Sequence, residues 1–421
     1  MTEHLLQFIW QYRYFNLHNL HSTQNEPLQI IHPGNLNTHQ GPDFLNAKIK
    51  VGNTVLAGSI ELHLKSTDWL DHKHSNDKNY NNVILHVVWE HNKNIGLAFP
   101  VLELQHRVSS LFLDKYAGMM KADTFIPCEN HIGQLHSLTI RAWKDRAAAE
   151  RLMQKAAYIR ALLQQNQHHW EETFWWILAR NFGLPQNADA FEAVAKSLPL
   201  SILAKHKFQQ IQIEALLLGQ AGLLHKPFKE SYPQMLKKEY VFLQKKYQLQ
   251  PIPLPLHFLR MRPANFPTVR LAQLAGLIHK SVHLFSKVKE AASIQELVNL
   301  LQCTANDYWN YHYVLDKESG TKPKTSGKQL TENVILNTVI PVLYAYGLVN
   351  SSEEYKSRAV SFAEKISAEK NTITARFRQL GVPCLNAYDS QALIYWKKNY
   401  CNEKKCLCCT VGNKILKPEK D

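Results

Sequence analysis

A chain of 421 residues, 45% hydrophobic and 20% charged, is long and apolar enough for more than one globular core. No apolar run approaches the ~20 residues needed to span a bilayer. The first residues, MTEHLLQFIWQYRYF, lack the basic n-region and small-residue cleavage site of a signal peptide, so a cytoplasmic location is expected. The net charge of +14 is uneven: residues 1–125 hold 10 Lys+Arg against 11 Asp+Glu, and the rest hold 39 against 24, a split that suits a polyanionic partner.

Residues 3–16 place Leu5, Ile9 and Trp10 at helical spacing and predict an amphipathic helix. Residues 28–31 predict a short strand ended by Pro33-Gly34. Residues 44–51 alternate, and Gly52-Asn53 predicts a hairpin into a second strand that ends in Glu61 to Lys65. Residues 82–89 are nearly all apolar and predict a central strand buried on both faces, followed by another at 101–104. From about residue 137 the period changes to 3.6. Helices are predicted at 137–165, 170–182, 188–197, 209–219 and 232–247. After a Pro-rich stretch at 250–268, further helices are predicted at 270–285, 293–303, 331–346, 352–368 and 370–380, with 317–328 a Lys-rich loop. The class is α+β: a mixed-sheet α/β domain over 1–125, a basic helical domain over 126–400 and a Cys-cluster tail over 401–421.

Side chains alternate along a strand, so Glu61, His63 and Lys65 point one way and Ile60, Leu62 and Leu64 the other. Ionisable groups in a row on a buried face are costly unless they bind something. Asp43 on the preceding strand can join them, and two converging carboxylates make a hard, oxygen-rich site suited to Mg²⁺ or Mn²⁺. Pro42-Asp43 followed by Glu61-x-His63 resembles the PD-(D/E)xK nuclease signature. The resemblance implies a restriction-endonuclease-like core and a metal-dependent nuclease. Asp43 and Glu61 would hold the ion, and Lys65 or His63 would orient or deprotonate a water. That superfamily usually has Lys where this chain has His63. A second resemblance spans nearly the whole chain. Gly41-Pro-Asp-Phe44, Gly58-Ser-Ile-Glu-Leu-His63, Ser66-Thr-Asp-Trp69, Asn81-Asn-Val-Ile-Leu-His-Val-Val88, Arg262-Pro-Ala-Asn-Phe-Pro267 and Lys405-Cys-Leu-x-Cys409 resemble a bacterial family known only as a domain of unknown function, which implies one shared architecture, brings no established activity and leaves function to the residues.

Eleven of the 21 histidines lie in residues 1–125. His72, His74 and Asp77 follow the Glu61 strand, and His86 lies on the next one. Neutral imidazole ligates Zn, Mn or Fe and serves as a base near neutral pH, so these four are auxiliary candidates. The alternative is solvated loop histidines at 72 and 74 and a hydrogen-bonded core histidine at 86. Seven cysteines, four of them within 401–409, do not make a disulfide framework. Cys401-x4-Cys406-x2-Cys409 has the close spacing of a soft-metal site, with Cys128 the first candidate for a fourth ligand and Cys408 or a His the alternatives. Tetrahedral sulfur sites hold Zn or an Fe–S cluster. Some PD-(D/E)xK nucleases carry an Fe–S cluster on one upstream and three C-terminal cysteines, a similar layout.

Aromatic and basic residues interleave at Trp143 with Arg141, Arg146 and Arg151, at Phe258 and Phe266 with Arg260 and Arg262, and at Tyr395, Trp396 and Tyr400 with Lys397 and Lys398, a pattern suited to single-stranded nucleic acid. The same aromatics also fit helix cores. There is no Gly-Lys-Ser/Thr phosphate loop, no GxGxxG and no GxSxG, which argues against ATP-driven chemistry and serine hydrolysis. The expectation is therefore a nuclease acting on DNA or RNA, or a non-catalytic nucleic-acid-binding or metal-binding scaffold on the same fold.

Overall fold

The computed structural model describes residues 1–281 and 283–417. The chain forms two compact units. One contains Met1–Trp143, Gln379–Val382 and the residues from Trp396 on; the other contains Lys144–Arg378 and Pro383–Tyr395.

The first unit is built on a mixed sheet. Helix α1 (Glu3–Tyr12) starts on Thr2, whose hydroxyl accepts the Leu5 N–H, and stops at Arg13 in the left-handed region (φ 54°), earlier than its predicted end at 16. Strands β1 (Leu28–His32), β2 (Asn35–Leu36), β3 (Phe44–Val51), β4 (Thr54–Lys65), β5 (Val83–Glu90) and β6 (Val101–Glu103) follow. The sheet order is β1-β3-β4-β5-β6, with β2 also on β3. β1, β3 and β4 are antiparallel; β4, β5 and β6 are parallel. Gly52-Asn53 makes a two-residue hairpin turn closed by the Val51–Thr54 pair, with Gly52 at φ 54°.

Two local irregularities set up the site. The β3–β4 register shifts between Phe44 and Ala47, where Asn46 adopts φ 58°; this bulge bends β3 just after Asp43. Gly58 on β4 has no side chain because Asn82 runs against it: a Cβ there would lie 2.5 Å from the Asn82 carbonyl oxygen. The close approach lets β5 start beside Ser59. A parallel pair needs a crossover. Residues 66–82 supply it through α2 (Asp68–Asp71) and two short 3₁₀ turns, His74–Asn76 and Lys78–Tyr80. Ser66, fully buried, anchors its start by donating to Asn92 Oδ1 and the Lys93 carbonyl, both at 2.8 Å. Helices α3 (Ser110–Lys121) and α4 (Glu129–Ile132) complete the N-terminal part; α3 is not among the predicted elements.

The second unit is helical apart from a small ribbon of His312–Val314 and Lys317–Glu318. The predicted helices at 137–165, 170–182 and 232–247 are observed as Ser137–Gln165, Trp170–Phe182 and Ser231–Tyr247. The predicted helix at 270–285 is two helices, Pro267–Lys280 and Leu284–Glu290, with Val282 outside the described residues. Among the described residues one stretch, Lys328–Val349, is long and apolar enough to cross a membrane by length and composition only; 61% of its most apolar part is buried inside the protein, and a π-helical turn at Ile335–Val339 interrupts it. The core gathers Phe174, Trp175, Phe182, Phe191, Leu216 and Trp309.

Within that core lies a fully buried carboxyl, Glu214. Its Oε1 accepts the Trp309 Nε1–H (2.6 Å) and the Tyr232 hydroxyl (3.1 Å), while Oε2 has no partner. Burial outweighs the two donors and raises its pKa from 4.5 to about 7, so Oε2 is the atom that carries the proton. A raised carboxyl pKa favours folding below the unfolded value and loses that contribution as pH rises through the folded one. The stability difference between wild type and Glu214→Gln should therefore fall by on the order of 2–3 kcal/mol from pH 4.5 to 7.5. Chemical denaturation across that range reads it; a pH-independent difference would contradict the assignment.

A candidate metal centre on the sheet

The register aligns Glu61 on β4 with His86 on β5, and His63 lies two residues further along the same face. All three are nearly inaccessible, at 6%, 0% and 1% exposure. Across the β3–β4 pair, Asp43 and Glu61 are stitched together through backbone. The Asp43 N–H donates to Glu61 Oε2 (2.9 Å), and the Leu62 N–H donates to Asp43 Oδ2 (3.0 Å). Gln7 of α1 donates to the other Asp43 oxygen (2.8 Å). The two carboxyls that the sequence singled out thus share one buried site, and Gln7, a polar residue on an apolar helix, is a third member with no motif to announce it.

The crossover brings two more imidazoles. His63 Nε2 lies 3.1 Å from His72 Nδ1, and His63 Nδ1 lies 2.9 Å from His86 Nε2. Glu61 Oε1 is 3.6 Å from His63 Nε2 and 3.4 Å from His74 Nε2. His63, His72 and His74 each offer a nitrogen within 4.8 Å of the others. Two ligands held ~2.0–2.1 Å from one tetrahedral ion stand ~3.3–3.4 Å apart; the His63–His72, Glu61–His63 and Glu61–His74 separations of 3.1, 3.6 and 3.4 Å are close to that and are also those of hydrogen bonds and ion pairs. The site also contains an orphan: His74 Nε2 is buried without a hydrogen-bond partner although it faces Glu61. Aromatic rings hold the cluster. His74 stacks on Tyr80 (centroids 3.8 Å apart), and Trp69 packs edge-on to His63 and His74.

Protonation follows burial. Desolvation, and then the neighbouring Asp43, push Glu61 from 4.5 up to about 9; desolvation lifts Asp43 from 3.8 to about 6. Burial, with the other histidines behind it, drops His63 to about 2 and His86 to about 3, and lowers His74 as well. The contacts of Glu61 with His63 and His74 have ion-pair distances, yet at neutral pH both partners are uncharged. His86 Nδ1 is buried and unpartnered. A bare acceptor costs less there than a bare N–H, so His86 donates from Nε2 to His63 Nδ1, and His63 donates from Nε2 to His72. Ligation through His63 Nε2 would give up its bond to His72, move the His63 proton to Nδ1 and make His86 Nε2 the acceptor that orients the ring, the usual outer-shell arrangement.

Other predicted site residues fall elsewhere. Lys65 is exposed at the end of β4, two residues beyond His63, and among the described residues its side chain has no hydrogen bond or ion pair with Asp43 or Glu61. Asp77 caps the Lys78–Tyr80 turn through the Asn79 N–H (2.9 Å). Arg151 is buried and donates to Asn337 Oδ1 (3.1 Å), so it is a core residue of the helical unit rather than a phosphate contact. Arg146 is exposed and pairs with Glu150 (2.8 Å). Arg141, Arg260 and Arg262 are exposed. Trp143 and Trp396 are core residues, 0% and 1% exposed, and offer no stacking surface.

Residues 3–372 match a family described as a protein of unknown function (DUF2851). The chain belongs to this family. The match takes in the sheet, the crossover and most of the helical unit, and ends before the C-terminal cysteines. No curated protein and no solved structure matches the chain.

The raised Glu61 pKa fixes a pH dependence. Metal-free folded protein holds a proton that the unfolded chain releases above about pH 4.5, so this contribution to stability is lost as pH climbs towards 9. The low pKa values of His63 and His86 act oppositely but only below 6.5. Between pH 6.5 and 9 the metal-free wild type should therefore lose stability that Glu61→Gln retains. A ligating Glu61 must also give up its proton, so Mn²⁺ or Zn²⁺ binding at pH 7 should release about one proton per ion. Calorimetry in buffers of different ionisation enthalpy measures this; binding without proton release would remove Glu61 from the shell.

Proposed function

We propose that the first unit is a metal-dependent hydrolase of nucleic-acid phosphodiesters. The observation that carries the reading is the convergence of His63, His72 and His74, with Glu61 close to His63 and His74 and Asp43 stitched to Glu61 behind them. A helix, three antiparallel strands, a crossover and a parallel strand, with Asp43 entering one strand and Glu61-x-His63 on the next, also agree with the PD-(D/E)xK resemblance. The excess positive charge of the remaining chain supports a polyanionic substrate, DNA or RNA.

The imidazoles change the preferred ion. Two carboxylates alone suit Mg²⁺, whereas a mixed nitrogen and oxygen set suits Mn²⁺ or Zn²⁺. An ion there would polarise a phosphoryl oxygen and lower the pKa of a nearby water. The residues themselves do the rest. Gln7 and the Leu62 N–H hold the Asp43 carboxyl in one orientation, and its pKa of about 6 leaves it mostly ionised and able to take a proton at neutral pH. His72 is the exposed member of the histidine cluster and gives it an edge open to solvent. Tyr80 and Trp69 keep His74 and His63 in place.

Wild-type protein should cut single- or double-stranded DNA or RNA with Mn²⁺. Asp43→Ala and Glu61→Ala should lose at least ~10²-fold, while Lys65→Ala should stay within a few-fold. If wild type and Asp43→Ala are equally inactive on every substrate, the catalytic reading fails. Nucleic-acid binding that weakens steeply with salt but ignores Asp43→Ala would then mark a non-catalytic binding protein.

A further inference from the structure

Four buried thiols in the first unit have no part in the sheet site. Cys128, Cys401, Cys406 and Cys409 are 5%, 8%, 7% and 6% exposed, and none of them forms a disulfide. They come from chain stretches more than 270 residues apart, yet all belong to the same compact unit.

Local structure brings them together. Cys128 is the N-cap of α4. Cys409 is the N-cap of the helix Thr410–Leu416, which packs against α4 and α3. Cys406 and Cys409 bracket a 3₁₀ turn closed by the Cys409 N–H donating to the Cys406 carbonyl (3.3 Å). That turn lies against the Thr410–Leu416 helix so closely that a side chain on Gly412 would meet the Cys406 carbonyl at 2.3 Å. Cys401 ends the π-helical turn Lys397–Cys401, which packs on the same 3₁₀ turn. The C-terminal stretch is docked at several further points: Lys404 donates to the Met120 carbonyl, Lys397 sits 5.1 Å over the Phe125 ring, Trp143 meets Tyr400 edge-on, and the Tyr14 hydroxyl donates to Asn413.

We propose that Cys128, Cys401, Cys406 and Cys409 form a tetrathiolate site for a soft metal, Zn²⁺ or an Fe–S cluster, which clasps the C-terminal stretch to α3 and α4. A buried cysteine is often only a small apolar residue, as Cys303 and Cys384 are in the helical unit, where each sits apart; Cys384 has Ser390 Oγ 3.4 Å away. The four differ in that packed elements carry them, and in that Cys401 feels Cys128, Cys409 and Cys406. Burial comes first in raising the pKa of Cys128, Cys401 and Cys406, and in each the neighbouring cysteines add to it. The thiols therefore stay protonated unless a cation takes the place of the protons. Lys397 and Lys404 act the other way, on Cys401 and Cys406, and supply positive charge beside what would be an anionic centre. Cys408, exposed and 3.8 Å from His4 Nε2, points out of the group. The site is structural: no open side for substrate is needed, and it stands whether or not the sheet site is catalytic.

The test uses full-length protein purified anaerobically. Elemental analysis should find ~1 Zn per chain, or the iron, brown colour and visible absorbance of a cluster. The metal should persist in His74→Ala, which separates it from any ion on the sheet. It should be lost in Cys128→Ser and Cys406→Ser and kept in Cys408→Ser. Because the Ser variants can fail to fold, a second reading uses wild type alone: Co²⁺ replacing Zn²⁺ should give the intense near-ultraviolet charge-transfer bands of sulfur ligation. Zinc and iron outcomes both support the site. Metal-free wild type, a metal that departs with His74→Ala, or Co²⁺ without thiolate bands would overturn it.

Discussion

Glu61, His63 and His86 lie on adjoining strands with almost no access to water, and among the described residues no Lys or Arg pairs with Glu61 or Asp43. A carboxylate so placed lacks both solvent and counter-ion, and the cost of desolvating it is larger than a few backbone donors can offset. The protein meets this cost with protons: Glu61 keeps one, and the imidazoles shed theirs. The result is a buried, mostly uncharged cluster in which Glu61 keeps a proton and His63 and His86 do not.

The parallel β4–β5 pair makes that arrangement possible. An antiparallel partner could follow β4 after a tight turn and would bring no intervening segment past the strand. The parallel one requires a return path, and residues 66–82 use it to carry His72, His74 and Tyr80 back over the face where Glu61 and His63 emerge. Ser66 fixes the start of the path and Asp77 caps its last turn. The polar chemistry on the sheet and the topology of the sheet are therefore one feature.

Much of this was legible in the chain. Alternation along 44–51 and 58–65, the Gly52-Asn53 turn and the apolar run at 82–89 gave β3, β4 and β5, because period and turn chemistry are local signals. The same alternation put Glu61 and His63 on one face. Three things were not legible. Lys65 shares that face but is exposed at the strand's end, since a face specifies direction and not burial. The role of Gln7 depends on where α1 lies against β4 and the residue that leads into β3, which is tertiary. Arg151 resembles its exposed neighbours on a basic helix, and only packing against the π-helical turn Ile335–Val339 shows it buried and bonded to Asn337. Helix α3 shows the limit in another way: it buries only Phe112 and Met119 and has Gly118 near its end, so its apolar stripe is too thin to read.

Gly58 gives the site a dependence on a residue with no functional group. Its missing side chain is the space in which the Asn82 carbonyl rests, and that contact sets how closely β5 lies beside β4. Any larger residue must move backbone rather than a flexible side chain, and the movement would pass directly into the spacing between Glu61 and His86. A larger residue at this glycine would disturb the cluster while leaving every one of its acids and imidazoles in the sequence, and a survey restricted to those acids and imidazoles would count such a chain as intact.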